Sequence, residues 1–243
     1  NNVSKTIELL DFLQSHGCTR FLFSGSASIY AVTDDFTVDE NSPFAPMSPY
    51  ARTKAVLEGV FADIAAATPI NIISLRYFNP IGAHPSSYIG EQPNGVPENL
   101  VPYIVQTAAG IRKKLSVFGN DYKTPDGTCI RDYIHVLDLA EAHIAALDVL
   151  AEGRQPEHHT YNVGTGLGTS VQEIIDGLRR VIGWDFPVEE QGRRAGDPPK
   201  LIGDPLSIGV DLGWKANNGV EEIIESAWEG WQAGKRPITV PGR

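Results

Sequence analysis

The chain has 243 residues, 42% of them hydrophobic, enough for one large α/β domain, or one and a half, with a core of its own. Its 30 acidic residues against 20 basic give a formal net charge of −10, which disfavours nucleic acid as a partner, because such binders present a basic face. Cys18 and Cys129 fit no metal spacing or disulfide framework, favouring a reducing compartment such as the cytoplasm, and no apolar run approaches the roughly 20 residues that span a bilayer.

The chain opens inside a helix-like pattern, with Val3, Ile7, Leu10 and Leu13 on one face and Gly17 as a stop. A start in mid-element without methionine carries the expectation that an N-terminal part is missing. Helix 2–16 leads to strand 20–25, and a loop with Pro43, Pro46 and Pro49 leads to helix 49–66 and strand 70–77. Short, nearly all-apolar strands between helices imply a parallel sheet covered on both faces. From about residue 80 the character changes. Residues 80–100 read as a long functional loop. Helix 100–112, strand 115–118, a short strand near 130–135 and helix 136–152 follow. Next come strand 160–163, a helix capped by Ser170 and running to Gly183, a strand near 187–190, the loop 192–199 and a helix from Gly219 to Ala233. The expected division is residues 1–80 and 81–243, with exchange of segments allowed.

Chemistry concentrates at the start of helix 49–66. Ser48 is a good N-cap and Pro49 a good first helical residue. Tyr50 and Lys54 then lie one turn apart on one face. Ser26 ends the preceding strand, where ligands of such sheets bind. A phenol, an ammonium and a hydroxyl that converge form an acid/base device for an alcohol. A free tyrosine titrates near pH 10, and bringing a phenol to about 7 takes about 4 kcal/mol of differential stabilisation, which a desolvated charge pair can supply. The Y-x-x-x-K spacing alone is also common on ordinary helix surfaces.

Longer motifs sharpen this. Ser24-Gly25-Ser26-Ala27-Ser28-Ile29-Tyr30 followed by Pro49-Tyr50-Ala51-Arg52-Thr53-Lys54 resembles the extended short-chain dehydrogenase/reductases. Further on come Leu75-Arg76-Tyr77-Phe78-Asn79-Pro80-Ile81-Gly82, Pro97-Glu98-Asn99-Leu100-Val101-Pro102, Val117-Phe118-Gly119-Asn120-Asp121-Tyr122 and Arg131-Asp132-Tyr133-Ile134-His135-Val136-Leu137-Asp138. Together they resemble the UDP-glucose (UDP-galactose) 4-epimerases from Asn2 to about Trp231. The resemblance implies an α/β fold: part of a Rossmann-type, doubly wound parallel sheet for NAD, with a smaller α/β C-terminal region for the UDP-sugar. It implies interconversion of UDP-glucose and UDP-galactose, as in galactose metabolism, by oxidation at C4, rotation of the 4-keto sugar and re-reduction. It also implies a homodimer formed through a helix pair that includes helix 49–66.

Residue roles follow from the resemblance. Tyr50 is the expected base at the sugar 4-hydroxyl, with Lys54 and Ser26 as its catalytic companions. Asn1, Ser24, Tyr50, Lys54, Tyr77 and Phe78 are expected around NAD. Ser26, Asn79, Asn99, Leu100, Leu115, Phe118, Arg131, Arg194, Asp197 and Leu201 are expected around the UDP-sugar, with the two arginines on the diphosphate. Taken alone, Arg194 is a solvated loop charge, Arg131-Asp132 an ordinary ion pair and Asn79-Pro80 a turn. His84, His135, His158 and His159 do not make a metal site with their neighbours. The Gly-rich turn and ribose-binding acidic residue of the family are absent, so this fragment is expected to bind NAD poorly and to be poorly active. Gly25 stands where the family often has Ser, Ala31 where it often has Gly. Leu201, intermediate in size, leaves UDP-N-acetylhexosamine substrates open, and a UDP-xylose 4-epimerase is a further alternative. A 4,6-dehydratase or reductase needs an extra acid/base pair where Ala27-Ser28 stand. A non-catalytic sugar-nucleotide binder has no need of Ser26, Tyr50 and Lys54 together.

Overall fold

Strand Asn71–Tyr77 is buried along six of its seven residues, as a strand covered on both faces must be. The structure, a computed structural model, describes residues 2–31, 37–86, 89–153, 157–194 and 196–234. In chain order the elements are α1 (Asn2–Ser15), β1 (Arg20–Ser26), β2 (Thr37–Val38), α2 (Pro49–Ala67), β3 (Asn71–Tyr77), β4 (Asn79–Ile81), α3 (Leu100–Ala108), β5 (Leu115–Phe118), β6 (Ile130–Arg131) and β7 (Tyr133–His135). Then follow α4 (Val136–Ala151), β8 (His158–Val163), β9 (Thr169–Ser170), α5 (Val171–Ile182), β10 (Val188–Gln191), β11 (Lys200–Gly203), α6 (Leu206–Leu212) and α7 (Val220–Gly234). The class is α/β with parallel strands, as expected.

The chain divides into two units: residues 1–78, 139–166 and 201–215 form unit 1, and residues 79–138, 167–200 and 216–243 form unit 2. The first crossing thus falls after Phe78, and two later segments return to unit 1.

Unit 1 is built on the parallel sheet β1–β3–β8. Its register sets Ser26 beside Tyr77, and Tyr77 beside Val163, so the three carboxyl ends finish level. At Gly25 the strands come very close: a Cβ there would lie 2.8 Å from the Leu75 carbonyl oxygen, too near for a serine without a shift. Leu57 and Phe61 of α2 pack with Leu10, Phe23, Ile70 and Ile72. Each fully buried aliphatic or aromatic chain of this kind contributes about 1.5–3 kcal/mol.

A second layer of order in unit 1 is polar. Arg76, alone among the otherwise uncharged residues of β3, donates to Glu58 of α2, with Nη2 2.6 Å from Oε2, and both side chains are almost fully buried. Its Nη1 reaches Tyr30 Oη at 2.7 Å and the Glu40 carbonyl at 2.9 Å. Tyr30 in turn donates to Asn162 Oδ1 at 2.6 Å. Burial pushes the Tyr30 phenol well above its ordinary range despite the nearby guanidinium, so it serves as a neutral donor.

Unit 2 contains the parallel pairs β5–β10 and β4–β7 and the antiparallel pair β6–β9. Helices α3, α5 and α7 enclose its core, including Ile104, Leu115, Ile175, Leu178, Ile223 and Trp228. The sequence explains α5 well: Ser170 and Glu173 form a reciprocal capping box, and Gly183 ends the helix at φ 79°. The expected strand near 130–135 is two strands, β6 and β7, with fully buried Asp132 between them, whose carbonyl accepts from Asn79 N at 3.0 Å. β2, β4, β9, β11 and α6 were not anticipated.

Candidate active site

At the start of α2 the local chemistry matches its sequence. Ser48 Oγ accepts from Ala51 N at 3.0 Å and Pro49 opens the first turn. This presents Tyr50 to solvent, 51% exposed. One turn on, Lys54 reaches back to the sheet. Its Nζ donates to the Ser24 carbonyl at 2.7 Å and lies 4.6 Å from the Phe23 ring centroid and 5.5 Å from that of Tyr50. Partial burial lowers the Lys54 pKa, and the nearby Glu58 carboxylate opposes the shift. A half-buried cation is thereby fixed beside the face of an exposed phenol.

Ser24 contributes twice, because its Oγ also shares a 2.7 Å hydrogen bond with Tyr77 Oη. Burial raises the Tyr77 pKa, the bond to Ser24 opposes this, and charge on Tyr50 raises it further. Tyr77 is thus kept a neutral phenol. Ser26 Oγ meets Ser28 Oγ at 2.9 Å and caps the short turn Ala27–Ile29. Its hydrogen bond goes to Ser28 rather than to Tyr50. The Phe78 ring, 8% exposed, sits in a cluster with Tyr30 and Val38, against which Leu201 packs. Gly203 closes over that ring, and any side chain there would collide with it. Phe78 and Leu201 are therefore packing residues of unit 1. Asn1 lies outside the described residues.

Unit 2 holds the expected anion-binding groups. Arg131 Nη1 donates to the carbonyls of Ile130 and Pro198, each at 2.9 Å, and Nη2 stands 3.8 Å from Asp197 Oδ1. These bonds anchor the loop after β10 to β6 and aim the guanidinium. Arg194 is exposed and lies 3.8 Å over the Phe118 ring. Stacking uses the guanidinium face and leaves its in-plane N–H donors for a ligand. Asn99 caps α3 with no side-chain capping bond, and its Nδ2 reaches Glu91 at 3.1 Å. Leu100, the next residue, is half-buried. Asn79 is exposed at the start of β4. Leu115 is 1% exposed and belongs to the unit 2 core, on the face of β5 opposite Phe118, so its side chain presents no surface.

Two groups escaped the sequence reading. The Arg76–Glu58 pair was detectable in principle, since a lone cation in an apolar strand requires a buried partner. His143, which touches Tyr77 Oη through Nε2, had no local signal. Among the described residues no group of three or more His, Cys, Asp or Glu could hold a metal ion. Nor is any described helix long and apolar enough to cross a membrane.

Residues 1–164 match the NAD dependent epimerase/dehydratase family. A rice (Oryza sativa subsp. japonica) protein named UDP-glucose 4-epimerase 2 is 45% identical over 238 residues, which is 98% of this chain and 58% of that protein. Among solved structures, the UDP-glucose 4-epimerase of Stenotrophomonas maltophila, with bound NAD and formylated UDP-arabinopyranose, is 43% identical with a TM-score of 0.92, covering 96% of this chain and 69% of that one. The Bifidobacterium longum UDP-glucose 4-epimerase in complex with NAD+ and UDP is 38% identical with a TM-score of 0.89, covering 97% and 70%. This chain therefore spans 58% of the rice relative and about 70% of the two solved proteins. A parallel sheet ending in Ser26 and Tyr77, a Tyr50–Lys54 helix start and a match over residues 1–164 lead to one conclusion: the chain belongs to the NAD dependent epimerase/dehydratase family.

Proposed function

We propose that this chain carries the catalytic and substrate-binding residues of a UDP-glucose 4-epimerase that interconverts UDP-glucose and UDP-galactose. The observation that carries the reading is the Lys54 ammonium, tied to the Ser24 carbonyl at 2.7 Å and held 5.5 Å from the Tyr50 ring. The donors at this strand end suit a nicotinamide ribose, since two Lys54 N–H groups remain beyond the bond to Ser24. NAD, when bound, supplies the hydride acceptor and donor for C4. Tyr50 removes the proton from the sugar 4-hydroxyl and returns it to the same oxygen when the turned-over 4-keto sugar is re-reduced by hydride on its opposite face. Lys54 favours the phenolate form of Tyr50, the form that can accept this proton. Ser26 holds the sugar oxygen once its hydroxyl turns from Ser28. Tyr77, a neutral phenol, does not compete as base.

Unit 1 is thus read as the cofactor and chemistry unit, and unit 2 as the UDP-sugar unit. Arg131 and Arg194 bind the diphosphate, Asp197 the ribose, Phe118 the uracil side, and Asn79, Asn99 and Leu100 the rest of the nucleotide sugar. In an acidic chain, two guanidiniums at one site let a dianion bind. Buried Ala27 and hydrogen-bonded Ser28 support an epimerase over a dehydratase, because neither can act as an acid there. Exposed Leu9 and Phe12 of α1 and Val56 of α2 offer the apolar surface a homodimer would bury. The free cysteines Cys18 and Cys129 suit the cytoplasm.

Tyr50→Phe in the full-length protein tests the reading. Loss of a positioned acid–base group costs about 10²–10⁴-fold in turnover. UDP affinity, measured by calorimetry, should be unchanged. Full activity in that variant would refute the base assignment.

A further inference from the structure

The imidazole of His143 is engaged at both nitrogens, on the part of α4 that belongs to unit 1. Nδ1 meets the Leu139 carbonyl, one turn earlier, at 2.7 Å. A carbonyl oxygen only accepts, so Nδ1 bears the hydrogen, and in the neutral ring Nε2 is then an acceptor. Nε2 faces Tyr77 Oη, with the ring centroids 5.4 Å apart and the planes tilted by 55°. Tyr77 has one hydroxyl hydrogen and two partners. His143 Nε2, lacking a hydrogen, takes it. Tyr77 Oη is placed to donate to Ser24 Oγ at 2.7 Å; with its hydrogen on His143 instead, the Ser24 hydroxyl must turn its own hydrogen to the phenol oxygen across that contact. Ser24 accepts Lys54 Nζ on its carbonyl. One continuous chain of bonds therefore runs Leu139–His143–Tyr77–Ser24–Lys54.

We propose that His143 is a positioning residue for the acid–base pair: by accepting the Tyr77 hydroxyl hydrogen it locks that phenol against Ser24 and so fixes the strand end that holds Lys54. The assignment rests on reading Tyr50 and Lys54 as that pair. It gives the two exposed-end tyrosines separate jobs. Tyr50 is left free to exchange a proton with substrate, while the proton of Tyr77 is committed to an imidazole behind it. His143 touches no reacting atom. It acts through Tyr77, as an outer partner orients a reactive group elsewhere.

The first test needs neither substrate nor cofactor. Nitrogen-15 NMR of the imidazole in the purified chain at pH 8, assigned with His143→Gln, should show a protonated Nδ1 and a bare Nε2. A ring protonated at Nε2 would overturn the proposal. The second test compares two replacements. In His143→Gln an amide oxygen can accept from Tyr77, whereas His143→Phe keeps a ring and removes the acceptor. A slowly exchanging Tyr77 hydroxyl proton should persist in the Gln variant and vanish in the Phe variant. In turnover of UDP-galactose by the full-length protein, the Phe variant should lose about tenfold in kcat with little change in KM, since small misplacements of reacting groups carry costs of this order. The Gln variant should recover most of that loss. Equal kcat values in wild type and His143→Phe would overturn the positioning role. The tautomer is read without turnover, so its result stands apart from the Tyr50→Phe assay that decides the acid–base reading.

Discussion

The start of α2 and the loop 192–199 both carry candidate functional cations, yet they are built differently. Lys54 is half-buried and tied to a strand carbonyl, on a helix that the buried Arg76–Glu58 pair joins to the sheet. Arg194 is exposed, and its stack on Phe118 is the contact that orders its guanidinium. The difference follows from the tasks. A group that stabilises charge during a reaction must be in place beforehand, because reorganisation would add to the barrier. A group that binds a dianion needs donors left free, so it sits in water until the ligand arrives. Substitutions behind Lys54 should therefore cost folding stability, and substitution of Arg194 should cost affinity alone.

The largest test of this contrast is Glu58→Gln. Breaking a buried ion pair from one side costs about 3–5 kcal/mol. Tyr30 and the Glu40 carbonyl keep two of the Arg76 bonds, so the lower end, about 3 kcal/mol by urea unfolding, is expected. A loss below about 1 kcal/mol would show that α2 is not held to β3 in this way.

A second test uses pH. His158 bonds Ser74 through Nε2 at 2.8 Å, and burial, aided by Arg76 and His159, lowers its pKa from 6.5 to about 4. The unfolded chain therefore binds a proton that the folded chain excludes between about pH 6.5 and 4. The stability contributed by neutral His158 is complete above 6.5 and is lost as the pH falls toward 4, on the order of 2–3 kcal/mol. Urea midpoints at pH 7 and 4.5 should show this loss, and His158→Gln should remove most of it. An unchanged pH dependence in that variant would place the sensitive group elsewhere.

Arg194→Ala addresses the other side of the contrast. Loss of a charge-assisted bond to phosphate should weaken UDP binding about tenfold or more by calorimetry. The unfolding midpoint should stay within about 0.5 kcal/mol of wild type, as for exposed positions generally. A large stability loss would mean that the loop is held by this residue and would erase the distinction.

How much of this was legible in the sequence depends on the range over which each signal acts. The cap at Ser48, the Tyr50–Lys54 spacing and the apolar run of β3 are local, and each appears where its pattern places it. The α5 capping box and Gly183 stop are local too. The misses are of two kinds. β2 and β9 are two residues each and β4 three, and β11 and α6 lie among Pro198, Pro199, Gly203 and Pro205, which read as loop punctuation. Their pairing comes from tertiary contact rather than propensity. The second kind is the partner of a buried polar group. Arg76 meets Glu58 and Tyr30 across 18 and 46 residues, and His143 meets Tyr77 across 66. Phe78 and Leu201 show the same limit: the motif places them near the site, and packing puts Phe78 in the core and Leu201, partly buried, against it.

The smallest expected effect tests whether the helix start is itself a functional element. Ser48→Ala removes the acceptor for Ala51 N, at a cost of about 1 kcal/mol. That figure alone describes any capped helix. Here the first turn also carries Tyr50, and fraying of that turn would let its phenol drift while Lys54, a turn deeper, stays tied to Ser24. The two residues should therefore respond unequally to loss of the cap. Turnover of Ser48→Ala should fall by more than the fraction of unfolded chain explains, and Ser48→Asp, another good N-cap, should restore it. If Ser48→Ala loses about 1 kcal/mol of stability with unchanged kcat, the cap serves the fold only, and the placement of Tyr50 must come from the substrate side.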